Sequence, residues 1–282
     1  AETENDLGLL YMSMGQFKKA EPYFLSSSRL STQNMLNTFP VLSEKEKGSF
    51  IYDNLFFNDC NNSFLYNYPG APGAVVNNNL DLQLIFKSLS LTDTRNMLDA
   101  LRNSKDANLK SLVSNWQSVK TLLAVQYGLP LPRRMKNLAQ KEEEAETLEK
   151  ELNRRSVDFR KQQSALQVAS KDVRQQLEDN EIAIEFVSFN YYNKRQTDSI
   201  IYAAYLLRKT DSVPVFIPLC EEKQLQKLFE SAGKTATLMV NSFYRGGELK
   251  SRSAAGALGT ELYKLIWKPL EPYLKGIRKV CS

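Results

Sequence analysis

Histidine is absent from the 282 residues of the sequence. Catalytic dyads and triads with an imidazole base, and metal sites with imidazole ligands, cannot be assembled from this chain alone. We therefore expect no catalytic residue, no cofactor-binding residue, no cofactor and no metal ligand within it. A histidine-dependent dyad would have to lie outside these residues.

Cysteine is scarce as well. The three cysteines, Cys60, Cys220 and Cys281, are far apart and odd in number, and no C-x-x-C motif occurs. A zinc site or a redox pair usually needs closely spaced thiols. The sequence therefore predicts three reduced thiols in a cytoplasmic protein, with Cys281 as a thiol of the core.

Two further absences exclude whole classes of function. No apolar run of roughly 18 residues occurs, so no transmembrane helix is predicted. No G-x-x-x-x-G-K-[ST] motif occurs, which excludes nucleotide hydrolysis by that route. The first residues, AETENDLGLL, include neither a methionine nor a signal-peptide pattern. Because they start as if inside a helix, and the last residues start a strand, we expect both ends to be cut points.

The charge is nearly balanced, with 37 basic and 32 acidic residues and a formal net charge of +5. Small basic clusters occur at residues 133–134, 154–155 and 275–279. Nucleic-acid binders usually carry a basic stripe interleaved with aromatic side chains, so this pattern does not favour nucleic acid. Glu142, Glu143, Glu144 and Glu146 are expected in water on a charged helix, without the paired geometry of a glycosidase or a carboxylate metal site.

Residues 5–28 alternate large and small side chains over two helical segments, with a break at residues 15–16. Gly8 and Ala20 would let the two helices approach closely. Aromatic side chains would fill the gap: Tyr11, Phe17 and Phe24. This pattern resembles a tetratricopeptide repeat. A single repeat cannot bury its faces alone, so the resemblance implies the last repeat of an array. The alternative is an ordinary helical hairpin.

Capping and periodic signals predict further helices. Ser43 and Glu46 have the spacing of a capping box before an apolar-periodic run. Helices are predicted over residues 80–91, continuing over 92–101, over 109–127 and over 170–177, with breaks at residues 69–73, 103–104 and 128–132.

The longest charged stretch, residues 134–163, has an apolar residue at every seventh position: Leu138, Ala145, Leu152 and Phe159. Fewer than four heptads match. We therefore expect a helix that packs along one seam of its own domain, and a coiled coil with a partner is the alternative. Its charges suggest two i,i+4 ion pairs, Glu146 with Lys150 and Glu151 with Arg155.

From residue 180 onwards the helical period is replaced by alternation. Three buried strands in meander order are predicted over residues 181–189, 200–207 and 213–219. Pro214 and Pro218 mark the third strand as an edge or irregular strand. The connecting elements are a polar hairpin loop over residues 191–199, a tight turn over 209–212, a helix over 221–231 and a loop at 246–247.

The C-terminal stretch combines an amphipathic helix with the start of a strand. Its apolar stripe consists of Leu258, Leu262, Leu265, Ile266, Leu270, Tyr273 and Leu274. Pro269 predicts a break near Trp267, and Gly276 predicts a left-handed cap. We expect Leu262, Ile266 and Leu270 to be buried against the strands of residues 182–219, with a strand starting at residue 280.

The order of these features resembles the N-terminal portion of the CHAT family, the caspase-like domains associated with tetratricopeptide repeats. The matching elements are LEKEL at residues 148–152, IAIEF at 182–186, YAAYLL at 202–207 and LYKLIWKPL at 262–270. The last of these is the most specific. The resemblance is strong over residues 5–28 and 181–282 and weak between them.

The resemblance implies an α/β fold in which a histidine and a cysteine at the ends of neighbouring strands form the dyad of a cysteine peptidase. Both residues follow the element matched by residues 262–282. No catalytic residue can therefore be assigned in this chain, and Cys281 is not the nucleophile on this match.

These inferences predict an α+β fold. A helical N-terminal region, made of a terminal repeat hairpin and a helical spacer, precedes a small, incomplete α/β unit with about three meander strands and a C-terminal amphipathic helix. The predicted domains are residues 1–34, the terminal tetratricopeptide repeat, residues 35–180, the helical spacer, and residues 181–282, the truncated CHAT-like unit.

The resemblance implies that this is the non-catalytic N-terminal portion of a CHAT-family cysteine peptidase. Its helices would bind a partner, and its strands would buttress the caspase-like domain. The alternative is a repeat-type interaction scaffold with no protease activity. The expected partners are a protein or peptide on the helical repeats and the downstream protease half of the same protein. No membrane partner is expected, and nucleic acid is not favoured.

Overall fold

The computed structural model describes residues 1–39, 42–102, 106–155, 168–231 and 252–282. It is mostly helical with one small sheet, which confirms the predicted α+β class. The helices are α1 (Glu2–Ser13), α2 (Phe17–Thr38), α3 (Glu44–Asn67), α4 (Gly73–Arg102), α5 (Ala107–Tyr127), a 3-10 turn (Leu131–Arg133), α6 (Leu138–Arg155), α7 (Ser170–Gln176), α8 (Glu222–Ser231), α9 (Arg252–Ile266) and α10 (Glu271–Leu274). The strands are β1 (Glu181–Asn193), β2 (Arg195–Arg208), β3 (Val215–Glu221) and β4 (Lys279–Cys281).

Two compact units are built from interleaved parts of the chain. The first comprises Ala1–Ser28, Phe57–Asp81 and Ala169–Ser282, and the second comprises Arg29–Phe56 and Leu82–Val168. Helices α2, α3 and α4 therefore each contribute residues to both units. The domain ranges 1–34, 35–180 and 181–282 stay a prediction. A division into compact units does not show where a repeat, a spacer or a CHAT-like domain begins and ends.

Helices α1 and α2 form the predicted close-packed hairpin. Gly15 turns the chain with a φ of 70°, a left-handed conformation that suits glycine. Gly8 faces the ring of Phe24, which is fully buried. Tyr11 stacks on Tyr23 with ring centroids 5.5 Å apart. The predicted packing of small residues against aromatic residues is therefore present. It confirms the helical hairpin, but it does not show that the hairpin is a tetratricopeptide repeat.

The Gly8 contact can be tested with two glycine-to-alanine changes in the first unit. A Cβ at Gly8 would lie 3.2 Å from the Phe24 ring, whereas a Cβ at helical Gly259 would meet nothing within 4 Å. We expect Gly259→Ala to raise the free energy of unfolding by about 0.5–1 kcal/mol. The clash should cancel or reverse that gain in Gly8→Ala. Equal gains in urea unfolding would contradict the tight contact.

The sheet has the order β3-β2-β1-β4, and β1, β2 and β3 form the predicted antiparallel meander. The predicted loop over residues 191–199 is wrong. Strands β1 and β2 continue to a turn centred on Lys194, which has a φ of 61°. The polar residues stay in the ladder because strand pairing uses backbone groups. The Thr197 hydroxyl also donates to the Tyr191 carbonyl at 2.6 Å.

Strand β3 lies at the outer edge of the sheet, as its prolines predicted. Pro214 precedes the strand, and Pro218 pairs with Ala203 next to a register shift. A proline lacks the amide proton that a central strand needs, so the edge position removes the conflict. The tight turn before β3 is also confirmed, since the Arg208 amide donates to the Asp211 carboxylate at 2.8 Å.

The C-terminal segment breaks as predicted and covers one face of the sheet. Helix α9 ends at Ile266, α10 follows a turn, and Gly276 has a φ of 82°. Leu270 is fully buried in an apolar cluster with side chains of β1 and β2: Ile182, Ile184, Ala204 and Leu206. Leu262 and Ile266 are only half-buried, so their predicted burial is wrong. The break redirects the chain, and only the residues after it enter this core.

In the second unit, α5 and α6 pack against each other in antiparallel order. Trp116 clusters with Leu152, while Leu123 clusters with Ala145. The seven-residue seam of α6 therefore packs within its own unit, as expected, and Phe159 lies outside the described residues. The Ser43 capping box is present, because the Ser43 amide donates to the Glu46 carboxylate at 3.0 Å. The predicted break at residues 103–104 and loop at 246–247 also lie outside the described residues.

Candidate functional site

The three thiols are free, as the sequence predicted. Burial raises the pKa of Cys60 to about 12 and also raises the pKa of Cys220. A nucleophilic cysteine needs the opposite shift, because the thiolate is the reactive form. Cys281 is half-buried in β4, opposite Ala183 of β1. Cys60 and Cys220 are therefore core thiols with no nucleophilic character.

Helix α3 is joined to the sheet by a set of directed hydrogen bonds, which we call the polar seam: Asn62, Ser63 and Asn67 of α3 with Tyr191, Tyr192 and Tyr205 of the sheet. The Tyr205 hydroxyl donates to the Asn62 amide oxygen at 2.6 Å. The Tyr192 amide donates to the Ser63 hydroxyl at 2.9 Å, and the Tyr191 hydroxyl donates to Asn67 at 2.7 Å. These bonds fix which turn of α3 faces which strand residue.

Tyr205 is the member of the polar seam with the largest buried side chain. It is 1% exposed, and burial raises its pKa, so the hydroxyl remains a neutral donor. Its ring packs on Phe216 with centroids 5.0 Å apart. A buried acceptor such as Asn62 costs free energy when its donor is removed. The seam therefore combines buried apolar surface with buried polar groups that each need a hydrogen-bond partner.

Replacing Tyr205 with phenylalanine tests the polar seam. We expect Tyr205→Phe to lower the free energy of unfolding by about 1–3 kcal/mol, because Asn62 loses its buried donor. Tyr202→Phe is the matched control in the same strand. The Tyr202 hydroxyl makes a longer bond to Glu222, 3.4 Å, in a half-buried position. Similar losses for both variants in urea unfolding would contradict a special role of the seam.

Asp59 is the described carboxyl whose pKa is moved closest to neutrality. Burial raises it from 3.8 to about 6, and the amide of Asn190, 2.8 Å away, only partly offsets that shift. A carboxyl with such a pKa could exchange protons near neutral pH. Cys60, its neighbour in sequence, stays protonated there because of its own raised pKa. Asp59 could therefore exchange protons, but the neighbouring thiol of Cys60 is not a nucleophile that it could activate.

The raised pKa of Asp59 makes a signed prediction about stability. Folded Asp59 holds its proton up to about pH 6, whereas the unfolded chain releases it near pH 4. The folded state therefore loses up to about 2–3 kcal/mol as pH rises from about 4 to about 6. Asp59→Asn should remove this loss, so its stability relative to the wild type should increase between pH 4.5 and pH 7.5 in urea unfolding.

Asp53→Asn on the same helix corrects for the removal of one surface charge. Asp53 is exposed, whereas Asp59 is half-buried. A stability difference between Asp59→Asn and the wild type that stays constant with pH would refute the assigned shift.

A groove of about 500 Å³ lies in the second unit. Apolar residues of α5 and α6 line it together with charged groups: Lys45, Lys120, Leu123, Ala124, Tyr127, Glu142, Ala145, Glu146 and Glu149. The Tyr127 hydroxyl donates to Glu142 at 2.6 Å, and Lys45 pairs with Glu146 at 3.1 Å. Glu149 is buried and also has a partner. The carboxylates are therefore already satisfied by the chain's own groups.

The acidic run of α6 was expected to lie in water, and this prediction is partly wrong. Glu143 and Glu144 are exposed, as expected, but Glu142 and Glu146 are half-buried. Of the two predicted ion pairs, Arg155 with Glu151 is present at 2.6 Å, whereas Lys150 pairs with Glu46 at 2.5 Å. Because α6 packs against other elements, Lys150 forms its ion pair with a residue of α3 and not with Glu146 on the neighbouring turn of α6. Within the described residues, no group of acidic, histidine or cysteine side chains could hold a metal ion.

Several basic residues are engaged in local contacts. Arg134 donates to the carbonyls of Tyr127 and Leu129, at 3.0 and 2.9 Å. Lys279 of β4 pairs with Glu181 of β1 at 2.6 Å. These groups hold turns and strand ends in place, which is their structural use within the chain.

Aromatic side chains are exposed beside the outer edge of β1. Phe186 is 42% exposed and Trp267 is 37% exposed. Their rings meet edge to face with centroids 6.0 Å apart. Exposed aromatic pairs are common where proteins bind other proteins. This pair is one of several exposed apolar groups among the described residues.

Searches of protein-family models, of curated proteins and of solved structures found no match to this chain. The CHAT and tetratricopeptide resemblances therefore remain proposals. In the part of the chain that the structure describes, every helix is too short or too polar to cross a bilayer.

Sequence reasoning missed both the polar seam and Asp59. The available signal was the polar run NDCNNS at residues 58–63, inside a helix whose other residues follow an apolar rhythm. Such a run indicates buried polar contacts only when the facing element is known. Here that element, β1 with β2, lies more than 120 residues further along the chain.

Proposed function

We propose that the chain is the non-catalytic N-terminal portion of a CHAT-type cysteine peptidase. In this proposal its helices hold a protein or peptide partner, and its sheet supports the caspase-like domain. The observation that carries the proposal is β4. After three antiparallel strands, the chain crosses back through helices and starts a strand parallel to β1. Parallel pairing through a helical crossover is the building principle of α/β sheets.

The break between α9 and α10 supports the same proposal. It lies within the LYKLIWKPL element, and Leu270 from that element fills the core beneath β1 and β2. The segment therefore positions β4 through buried contacts. Because the sheet of such a peptidase would have to continue from β4, a rigid attachment at this point suits a supporting role.

The chemistry of the chain supports a non-catalytic role for these residues. The sequence contains no histidine, and the thiols of Cys60 and Cys220 have raised pKa values. In the proposal, the histidine and cysteine of the dyad follow residue 282. The three free thiols favour a reducing compartment, so we place the protein in the cytoplasm.

The proposal predicts that the gene product continues beyond Ser282 with a strand-end histidine followed by a strand-end cysteine. A fluorescent iodoacetamide should then label that cysteine in the longer protein far faster than Cys60 or Cys220, because only a thiolate reacts. Exchanging the downstream histidine for alanine should slow the labelling, and intact-mass and peptide mass spectrometry would locate it. A gene product without this pair would refute the peptidase assignment.

The second candidate is an interaction scaffold of the tetratricopeptide type without protease activity. It is favoured by exposed apolar side chains at the end of α1: Leu10 is 48% exposed, and Met14, which follows the last residue of the helix, is 56% exposed. Apolar side chains on an outer helix face suit packing against a further helix or a partner. The downstream sequence separates the two candidates, because a missing dyad would leave only the scaffold.

A further inference from the structure

The connection between α5 and α6 exposes apolar side chains. Leu131 of the 3-10 turn is 76% exposed, and Val125 and Tyr127, in the last turn of α5, are 59% and 50% exposed. All three lie at one end of the antiparallel helix pair in the second unit. We call this end, residues 125–137, the α5–α6 tip. It lies in the middle of the chain, which continues into a described helix on both sides.

The turn that carries Leu131 is fixed by contacts within the tip. A proline on either side of Leu131 restricts the backbone. The Met135 amide donates to the side-chain oxygen of Gln126 at 2.8 Å, and the Arg134 guanidinium donates to two carbonyls of the tip. Leu131 is therefore held outward at a defined position, and it can enter an apolar phase without rearrangement of the turn.

The sequence around the tip carries charge of one sign. Between Asp106 and Glu142 there are six basic residues and no acidic residue: Lys110, Lys120, Arg133, Arg134, Lys136 and Lys141. Arg133 and Lys136 are exposed, and within the described residues their side chains form no hydrogen bond or ion pair. Two cations without a partner therefore lie close in sequence to the exposed leucine.

The acidic run of α6 begins after this basic stretch and is partly neutralised. Glu144 pairs with Lys141 at 2.5 Å, and Glu146 pairs with Lys45 at 3.1 Å. Glu143 is exposed in the second turn of α6, about 7 Å along the helix axis from its start. The α5–α6 tip itself contains only positive side-chain charges.

We propose that the α5–α6 tip docks on an anionic membrane surface. Leu131 enters the boundary between headgroups and acyl chains, while Arg133 and Lys136 contact the lipid phosphates and carboxylates. Each such cation raises the affinity for the surface by about fivefold. One leucine and two cations form a weak anchor, so the contact is reversible. The inference holds with or without the CHAT resemblance.

The chemistry of the tip favours a membrane over other partners. The sequence-based expectation of no membrane partner rested on the lack of a spanning run, but a surface contact needs only a few side chains. A stable protein interface takes about 800 Å² per partner, more than these few exposed apolar side chains supply. Nucleic acid would use the cations but not Leu131, because an aliphatic side chain offers no ring on which a base can stack.

Flotation of the full chain with vesicles tests the proposal. Vesicles of phosphatidylcholine with roughly one third phosphatidylserine should carry the protein to the top of a density gradient at low salt. Vesicles of phosphatidylcholine alone should not carry it, and added sodium chloride should release it from the anionic vesicles, because salt screens the attraction.

The depth of insertion can be measured separately. Leu131→Trp keeps an apolar side chain at the tip and adds a fluorophore there. Phosphatidylcholine with brominated acyl chains, mixed into the anionic vesicles, should quench this variant more than the wild type. The wild-type signal, from Trp116 and Trp267, is the reference.

Substitution of the leucine tests the apolar part of the contact. Leu131→Ser should weaken binding to the anionic vesicles by roughly tenfold, because the inserted side chain is lost. Leu10→Ser is the matched control, because Leu10 is an exposed leucine of the first unit. It should bind like the wild type.

A pair of charge reversals tests the basic part. Arg133→Glu combined with Lys136→Glu should weaken vesicle binding by roughly tenfold or more. Lys275→Glu combined with Arg278→Glu is the matched control. It reverses one lysine and one arginine, both exposed, at the same three-residue spacing, and it changes the net charge equally. This control should keep most of the binding.

Several results would overturn the proposal. These are equal binding to phosphatidylcholine alone, unchanged binding by Leu131→Ser, equal losses in the two double variants, or no extra quenching of Leu131→Trp. Binding of RNA or DNA without flotation would assign the tip to nucleic acid instead. If a tip variant loses its helical circular dichroism spectrum, the wild-type protein on the two kinds of vesicle and the Leu131→Trp quenching decide the matter.

Discussion

The hydrogen bond from Tyr205 to Asn62 is the contact on which the architecture of the first unit depends. It joins the C-terminal part of α3 to the C-terminal half of β2, between residues 143 positions apart in the chain. Apolar packing alone would allow the helix to slide along the sheet, because dispersion forces have little directional preference. The polar seam removes that freedom, since each buried donor and acceptor needs its own partner.

The seam covers one face of the sheet, and the C-terminal segment covers the other. Leu270 is fully buried beneath that second face, together with Ile184 and Leu206. Both faces of the middle strands are thus occupied. On the second face, the rings of Phe186 and Trp267 stay partly exposed.

Local signals explain why much of the fold was predictable. Helix caps, breaks and turns depend on a few neighbouring residues, and the structure confirms the predictions at Ser43, at Pro269 and at Gly276. The alternation of β1 and the prolines around β3 likewise report the immediate surroundings of each residue. The errors arose where a local rule was extended too far. The polar residues around Lys194 predict a loop, although backbone pairing continues both strands through them.

The sequence by itself determined the class of fold, the order of its main elements and the absence of imidazole chemistry, because these follow from composition and from periodicity within single segments. Only the tertiary structure decided that α6 packs on α5, that β4 lies parallel to β1, and that Asp59 is buried enough to have a pKa of about 6. The reason is physical. Burial and pairing are set by residues far apart in the chain, and the free energy of each such contact depends on the groups that face it.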